Sequence, residues 1–112
     1  MTKNMYQTDS SMTVVQPSGV LNAANAAEVQ AQLVKALGAS TTGLVVDLSC
    51  VDFLDSAGLA ALVVALRTAR RSGKRLSLCA VPPSIKIVFE LTQLDRAFEM
   101  LEARPAQMAI AA

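Results

Sequence analysis

The sequence predicts a single α/β domain with a mixed, mostly parallel sheet of four or five strands and helices packed against it. Three observations predict this class. Short apolar runs that suit buried strands alternate with longer stretches whose apolar residues recur at helical spacing. The 112 residues are 53% hydrophobic, which is enough to bury a core. Strands that alternate with helices in this way form parallel sheets with right-handed crossovers.

The first third of the chain predicts two short strands and a helix. We expect strands at residues 12–16 and 20–21, because both runs are apolar and a Pro-Ser-Gly turn separates them. Asn22 or Asn25 can then cap a helix near 24–37. The apolar residues of that helix lie three or four positions apart, and the glycine that follows is a natural stop.

The rest of the chain predicts two further helices between buried strands. Residues 44–48 are too few and too apolar for a surface helix, so we expect a strand buried on both faces. A long amphipathic helix follows near 57–72, with arginines at its C-terminal end where they complement the helix dipole. A second buried strand is expected at 76–81, and a third helix near 84–91 with Leu91 among its inward residues. A last strand or short helix is expected at 97–101.

Composition argues against nucleic-acid and membrane partners. Ten basic and nine acidic residues leave a net charge of +1, so no bulk field attracts polyanions. Basic residues do cluster between 67 and 75, but no aromatic side chains interleave with them, so a solvated helix end explains them better. The longest apolar stretch, 59–66, is far shorter than the roughly 20 residues that span a bilayer. With no apolar core of a signal peptide at the N-terminus, we expect a cytoplasmic protein.

Residues that carry catalytic or metal chemistry are scarce. The chain has no histidine, and its cysteines, Cys50 and Cys79, lack metal-binding spacing. We expect both to be small buried residues rather than a disulfide. A serine nucleophile would lack its usual base, and no spacing supports a pair with Lys74 or Lys86 instead. The chain also lacks a Gly-rich phosphate loop, so the sequence predicts a protein that is not an enzyme and holds no cofactor.

The most informative stretch is Asp-Ser-Ala-Gly-Leu at 55–59, because it follows a strand and opens the long helix. Ser56 is therefore expected at the helix N-terminus, where N–H groups lack partners and the dipole is positive. Its hydroxyl can cap the helix, and a phosphate added there would meet the same donors. Asp55 suits a capping role or the orientation of that hydroxyl. Gly58 indicates close approach of a partner or loop, or a packing constraint.

Five stretches, at 19–22, 44–48, 51–59, 73–76 and 88–94, stand out for their order and spacing. Together they resemble the signature of STAS domains, and most of all that of bacterial anti-sigma factor antagonists. The resemblance covers about residues 12–102 of a single domain that we expect to span 1–112. The flanks, 1–10 and 103–112, are expected to be flexible.

This resemblance implies a function. In the family, the unphosphorylated antagonist binds an anti-sigma factor that is also a serine kinase, and a sigma factor is released. The kinase phosphorylates the residue that matches Ser56, the complex dissociates, and a serine phosphatase reverses the step. ATP and magnesium belong to the kinase, and the free antagonist is expected to be a monomer or weak dimer. The implied partner-binding residues are Asn22, Asp52, Asp55, Ser56, Ala57, Gly58 and Leu59.

Two departures from the family pattern matter. Many relatives carry two consecutive hydroxyl residues where this chain has Ser56 followed by Ala57, so one acceptor remains. Asn22 stands where relatives often have Asp, which removes a carboxylate from any contact there.

STAS domains also occur in transport, which gives a second interpretation. Some are small subunits of lipid-trafficking ABC transporters, with a hydroxyl residue in the same place. Others are tails of anion transporters, which need transmembrane helices on the same chain. A kinase gene beside this one would favour the antagonist, and genes for a permease and an ATPase would favour the transporter subunit.

Overall fold

The computed structural model describes residues 12–102 and confirms the α/β class. Within that range the strands and helices alternate, and the three helices lie close to their predicted bounds. The elements are β1 (Met12–Val15), β2 (Gly19–Leu21), α1 (Ala26–Ala39), β3 (Gly43–Asp47), β4 (Val51–Leu54), α2 (Ser56–Arg71), β5 (Arg75–Cys79), α3 (Pro83–Leu91) and β6 (Glu99–Leu101). A 3₁₀ turn at Leu94–Arg96 joins α3 to β6. The predicted flexible flanks lie outside the described residues.

The described strands form two parallel arrangements rather than one mixed sheet. Four strands lie in the order β1-β3-β5-β6, while β2 and β4 pair separately. Every pairing between described strands is parallel. All five residues of β3 are buried, as expected for a strand covered on both faces. The strand β4 was not predicted, because it is short and carries two exposed residues in succession.

The core lies between the sheet and the helices. Helix α1 buries Val29, Leu33 and Leu37, and it packs along α2. Helix α2 presents alternating leucines and alanines to the core, so a neighbouring helix can approach closely. Phe89 of α3 meets Phe98 edge to face, with ring centroids 5.5 Å apart. In the described residues no helix is long and apolar enough to cross a membrane.

Two predictions about burial are wrong. Leu91 was expected to face inward, but 80% of its surface is exposed because it is the last residue of α3. Cys50 was expected to be buried like Cys79, but it lies exposed in the turn between β3 and β4. Cys50 and Cys79 are not joined in a disulfide.

The edge strand β6 is fastened to β5 by an ion pair with a hydrogen-bond network. The guanidinium of Arg75 pairs with the carboxylate of Glu99, with Nε donating to Oε1 at 2.6 Å. The hydroxyl of buried Ser77 donates to the same oxygen at 2.5 Å. These hydrogen bonds, from Arg75 first and Ser77 second, lower the pKa of Glu99 to about 2.

Candidate functional site

The candidate site is formed where β2, β4 and α2 converge. The backbone N–H of Asp55, which follows β4, donates to the carbonyl oxygen of Leu21 at the end of β2, at 3.0 Å. The next residue, Ser56, begins α2. We call this region the α2 corner and define it by five residues: Leu21, Asn22, Asp55, Ser56 and Gly58.

Asp55 is the residue that caps α2. Its Oδ1 atom accepts hydrogen bonds from the backbone N–H groups of Ala57 at 2.9 Å and Gly58 at 3.0 Å. Ser56 is the first helical residue and is exposed, so its predicted position at the helix N-terminus is confirmed. The expectation that its hydroxyl caps the helix is wrong, because a cap stands one residue before the helix and a carboxylate already occupies that place.

This cap changes what a phosphate on Ser56 would meet. The donors of Ala57 and Gly58 were expected to receive it, but both already bond to Asp55. A phosphate on Ser56 would therefore gain little from α2 beyond the dipole, which returns only about 0.3–1 kcal/mol per charge at an exposed site. Its charge would instead be presented outward, next to the carboxylate of Asp55.

Gly58 is buried against its own chain. A Cβ atom added there would lie 2.5 Å from the carbonyl oxygen of Leu21 and 2.8 Å from the Leu21 Cβ. Distances below 3.0 Å force the backbone to move, so only glycine fits. The packing constraint, one of the two alternatives for Gly58, accounts for this residue.

The loop between β2 and α1 is held by two asparagines that bond to nearby backbone. Oδ1 of Asn22 accepts from Ala24 N–H at 2.9 Å, and Asn22 N–H donates to Oδ1 of Asn25 at 2.9 Å. Nδ2 of Asn25 donates to the Val20 carbonyl at 2.7 Å. Asn25 occupies the N-cap position of α1, but its side chain makes no capping bond. The predicted side-chain cap is therefore wrong, because asparagine readily bonds local backbone instead.

The other predicted partner-binding residues differ in exposure. Asp52 and Ser56 are exposed, while Asn22, Asp55, Ala57 and Leu59 are half-buried. Leu59 packs against the core, so it contributes mainly to the fold. The structure thus gathers Asn22, Asp55 and Ser56 at one corner and turns Gly58 away from solvent.

The sequence reasoning missed two apolar residues beside this corner. Val20 and Phe53 are register partners on β2 and β4, and they are 43% and 53% exposed. No local signal in the sequence marks their exposure, because it depends on the register of β4 against β2.

Comparison with known proteins decides the family. A family model described as "Mlab, STAS domain" matches residues 4–102. The chain belongs to the STAS domain family. It is 31% identical over 91 residues to BtrV of Bordetella bronchiseptica, a proposed anti-sigma factor antagonist, and the match covers 81% of this chain and 78% of that protein.

Solved structures agree with this STAS assignment. An anti-sigma factor antagonist from Mycobacterium paratuberculosis has a TM-score of 0.73 and 27% identity, covering 83% of this chain and 79% of that one. The antagonist SpoIIAA in its unphosphorylated form has a TM-score of 0.66 and 22% identity, covering 85% and 83%. SpoIIAA from Bacillus has also been solved in its phosphorylated form, with a TM-score of 0.64 and 18% identity, covering 83% and 85%. These last two likenesses show the fold.

The α2 corner of this STAS domain presents an exposed serine hydroxyl next to the capping carboxylate of Asp55. Asp55 lies directly before Ser56, and Asp52 is exposed on β4. Among residues 12–102, no three His, Cys, Asp or Glu side chains come together as a metal site would require.

Proposed function

We propose that this STAS domain is an anti-sigma factor antagonist that is switched by phosphorylation of Ser56. The unmodified protein binds an anti-sigma factor that is also a serine kinase, and a sigma factor is released. Phosphorylation of Ser56 ends that complex, and a serine phosphatase restores it. ATP and magnesium are bound by the kinase, so this chain needs no cofactor and acts by binding rather than by catalysis.

The observation that carries this proposal is the exposed hydroxyl of Ser56 beside the capping carboxylate of Asp55. A kinase needs access to the hydroxyl, and Ser56 is exposed at the first position of α2. Because Asp55 already satisfies two helix donors, a phosphate would remain facing a bound partner. The family relationship to anti-sigma factor antagonists names the kind of partner.

The charge change is large enough to act as a switch. Phosphorylation adds about −1.5 to −2 charges at neutral pH. The phosphate would stand next to the carboxylate of Asp55, and an interface closing over it would have to desolvate both groups. Like charges or unpaired buried charges at an interface cost several kcal/mol. A loss of about 3 kcal/mol already weakens binding roughly a hundredfold.

Phosphate transfer to the purified protein tests the site. The cognate anti-sigma factor kinase, with ATP and magnesium, should add one phosphate to the wild-type protein by intact mass and none to Ser56→Ala. Ser84→Ala is the matched control, because Ser84 is also an exposed serine in the first turn of a helix, α3. This control should accept phosphate like wild type. Phosphate on Ser84, Ser72 or Thr68 in place of Ser56 would contradict the proposal.

The second candidate is a STAS subunit of a lipid-trafficking ABC transporter. The wording "Mlab, STAS domain" of the matching family model makes this the alternative to test. The two functions differ in their partner, which is a kinase in one case and a transporter ATPase in the other. Stable co-purification with a permease and its ATPase, without phosphate on Ser56, would support the subunit instead.

A further inference from the structure

Four large apolar side chains are exposed among the described residues. Val20 and Phe53 lie on the β2–β4 ladder, while Ile87 and Leu91 lie one helical turn apart on α3. Val20 and Phe53 pair directly in register, so their side chains emerge side by side on one face. The strands that carry them end at the α2 corner, since Leu21 bonds Asp55.

An irregularity in the ladder produces this exposure. Gly19 pairs with Val51, but the next residue, Val20, pairs with Phe53, so Asp52 is an extra residue on β4. Such a β-bulge reverses the inward and outward alternation beyond it. Val51 and Leu54, three residues apart, therefore both face the core, and Phe53 is turned out. Leu21 pairs with Leu54 and is buried, whereas Val20 is turned out with Phe53.

We propose that Val20 and Phe53 form the apolar centre of the surface that binds the anti-sigma factor. The bulge at Asp52 turns both side chains outward, towards this partner. This inference rests on the proposed function. Phe53 stands between Asp52 and Asp55 along the chain, three residues before Ser56. The pair therefore fits a partner with an apolar depression edged by basic groups. Aromatic side chains, phenylalanine among them, are enriched in the buried centre of protein interfaces.

The arrangement also explains why charge at Ser56 would be effective. Burial of the Phe53 ring requires water to leave the surface around it, and the α2 corner lies at the edge of that surface. A phosphate within this dry region would lose its hydration, which is far more costly than for a phosphate on an open surface. Val20 and Phe53 thus provide affinity for the partner, and phosphorylation of Ser56 removes it.

Calorimetric titration of the purified kinase, with ADP in place of ATP, tests the proposal. Phe53→Ser should raise Kd by about tenfold or more, as expected for an aromatic residue at the centre of an interface. Ile87→Ser is the matched control, because Ile87 lies on α3 and its exposed fraction of 52% is within one percentage point of that of Phe53. The control should change Kd by less than about twofold, as peripheral surface residues do. Thermal unfolding of each variant shows whether the fold is kept.

Val20→Ser protects the test against a folding defect of the Phe53 variant. Val20 lies on β2, the strand paired with β4, and is 43% exposed, so loss of its apolar side chain should also weaken binding. The effects of Val20→Ser and Phe53→Ser should be less than additive, because both residues would contact the same depression. Wild-type affinity in both folded variants would overturn the inference. If Ser56→Asp abolished binding in that same experiment, the proposed function would still stand, and only the inference about Val20 and Phe53 would fail. Failure of the wild-type protein to bind the kinase would overturn both.

Discussion

The backbone N–H of Asp55 donates to the carbonyl oxygen of Leu21 at 3.0 Å and ties the start of α2 to the end of β2. Two further contacts strengthen this junction. Gly58, in the first turn of the helix, packs against the same Leu21. The Asp55 carboxylate accepts a hydrogen bond from Gly58 N–H in that turn. The residues that fix the corner are therefore distinct from Ser56, the residue proposed to be modified.

Asp55→Ala and Ser56→Ala should differ in stability. Asp55→Ala removes the acceptor for two backbone donors and should lower the free energy of unfolding by about 1 kcal/mol. Ser56→Ala removes an exposed hydroxyl outside the cap and should change it by less than about 0.5 kcal/mol. Urea denaturation measures both values, and Asp55→Asn, which keeps a capping oxygen, should stay near wild type. Equal losses for Asp55→Ala and Ser56→Ala would contradict the assigned cap.

Gly58→Ala should destabilise the fold although alanine favours helices. Alanine gains about 1 kcal/mol over glycine in a helix interior. The added methyl would lie 2.5 Å from the Leu21 carbonyl oxygen, and such overpacking costs about 1–3 kcal/mol. Gly38→Ala in α1 is the control, because nothing lies within 4 Å of its added Cβ. That variant should be neutral or stabilised in the same denaturation experiment, and stabilisation of both variants would refute the close contact.

The sequence predicted the layered α/β fold because its signals are local and strong. Apolar runs such as 44–48 and the helical spacing in α2 need no tertiary context to be recognised. The same reasoning found Ser56 at the start of α2. It assigned the cap one residue late, because Asp55 and Ser56 both suit a cap and only the exact helix start distinguishes them.

Features that depend on pairing between distant residues could not be predicted from the sequence. The bulge at Asp52 exists only in the register of β4 against β2, and no local pattern marks it. For the same reason Phe53, an aromatic residue normally assigned to a core, was not identified as exposed. The role of Gly58 also needed the position of Leu21, which lies far from it in sequence.

The contribution of Glu99 to stability should disappear in acid. Its pKa is lowered to about 2 in the folded protein, mainly by hydrogen bonds from Arg75 and Ser77. The stabilisation is therefore complete above the carboxyl pKa of the unfolded chain, about 4.3, and is lost as pH falls through the folded value. Because the pair is partly exposed, its contribution at neutral pH is no more than about 1 kcal/mol.

Glu99→Gln measures that contribution by comparison with wild type. The difference in free energy of unfolding between the two proteins should be constant from neutral pH down to about 5 and should shrink towards zero near 2. Arg75→Gln should show the same dependence, since it removes the cationic partner. A difference that grew on acidification would show that Glu99 is not stabilised as a carboxylate.

The affinity of the kinase for the Ser56-phosphorylated protein, compared with the unmodified protein, tests the central claim most directly. Calorimetry with ADP present should show tight binding of the unmodified protein and of Ser56→Ala. Binding of the phosphorylated protein should be weaker by about a hundredfold, which corresponds to about 3 kcal/mol. Ser56→Asp should fall between them, because it carries one charge rather than nearly two. Equal affinity of the phosphorylated and unmodified proteins would contradict a switch at Ser56.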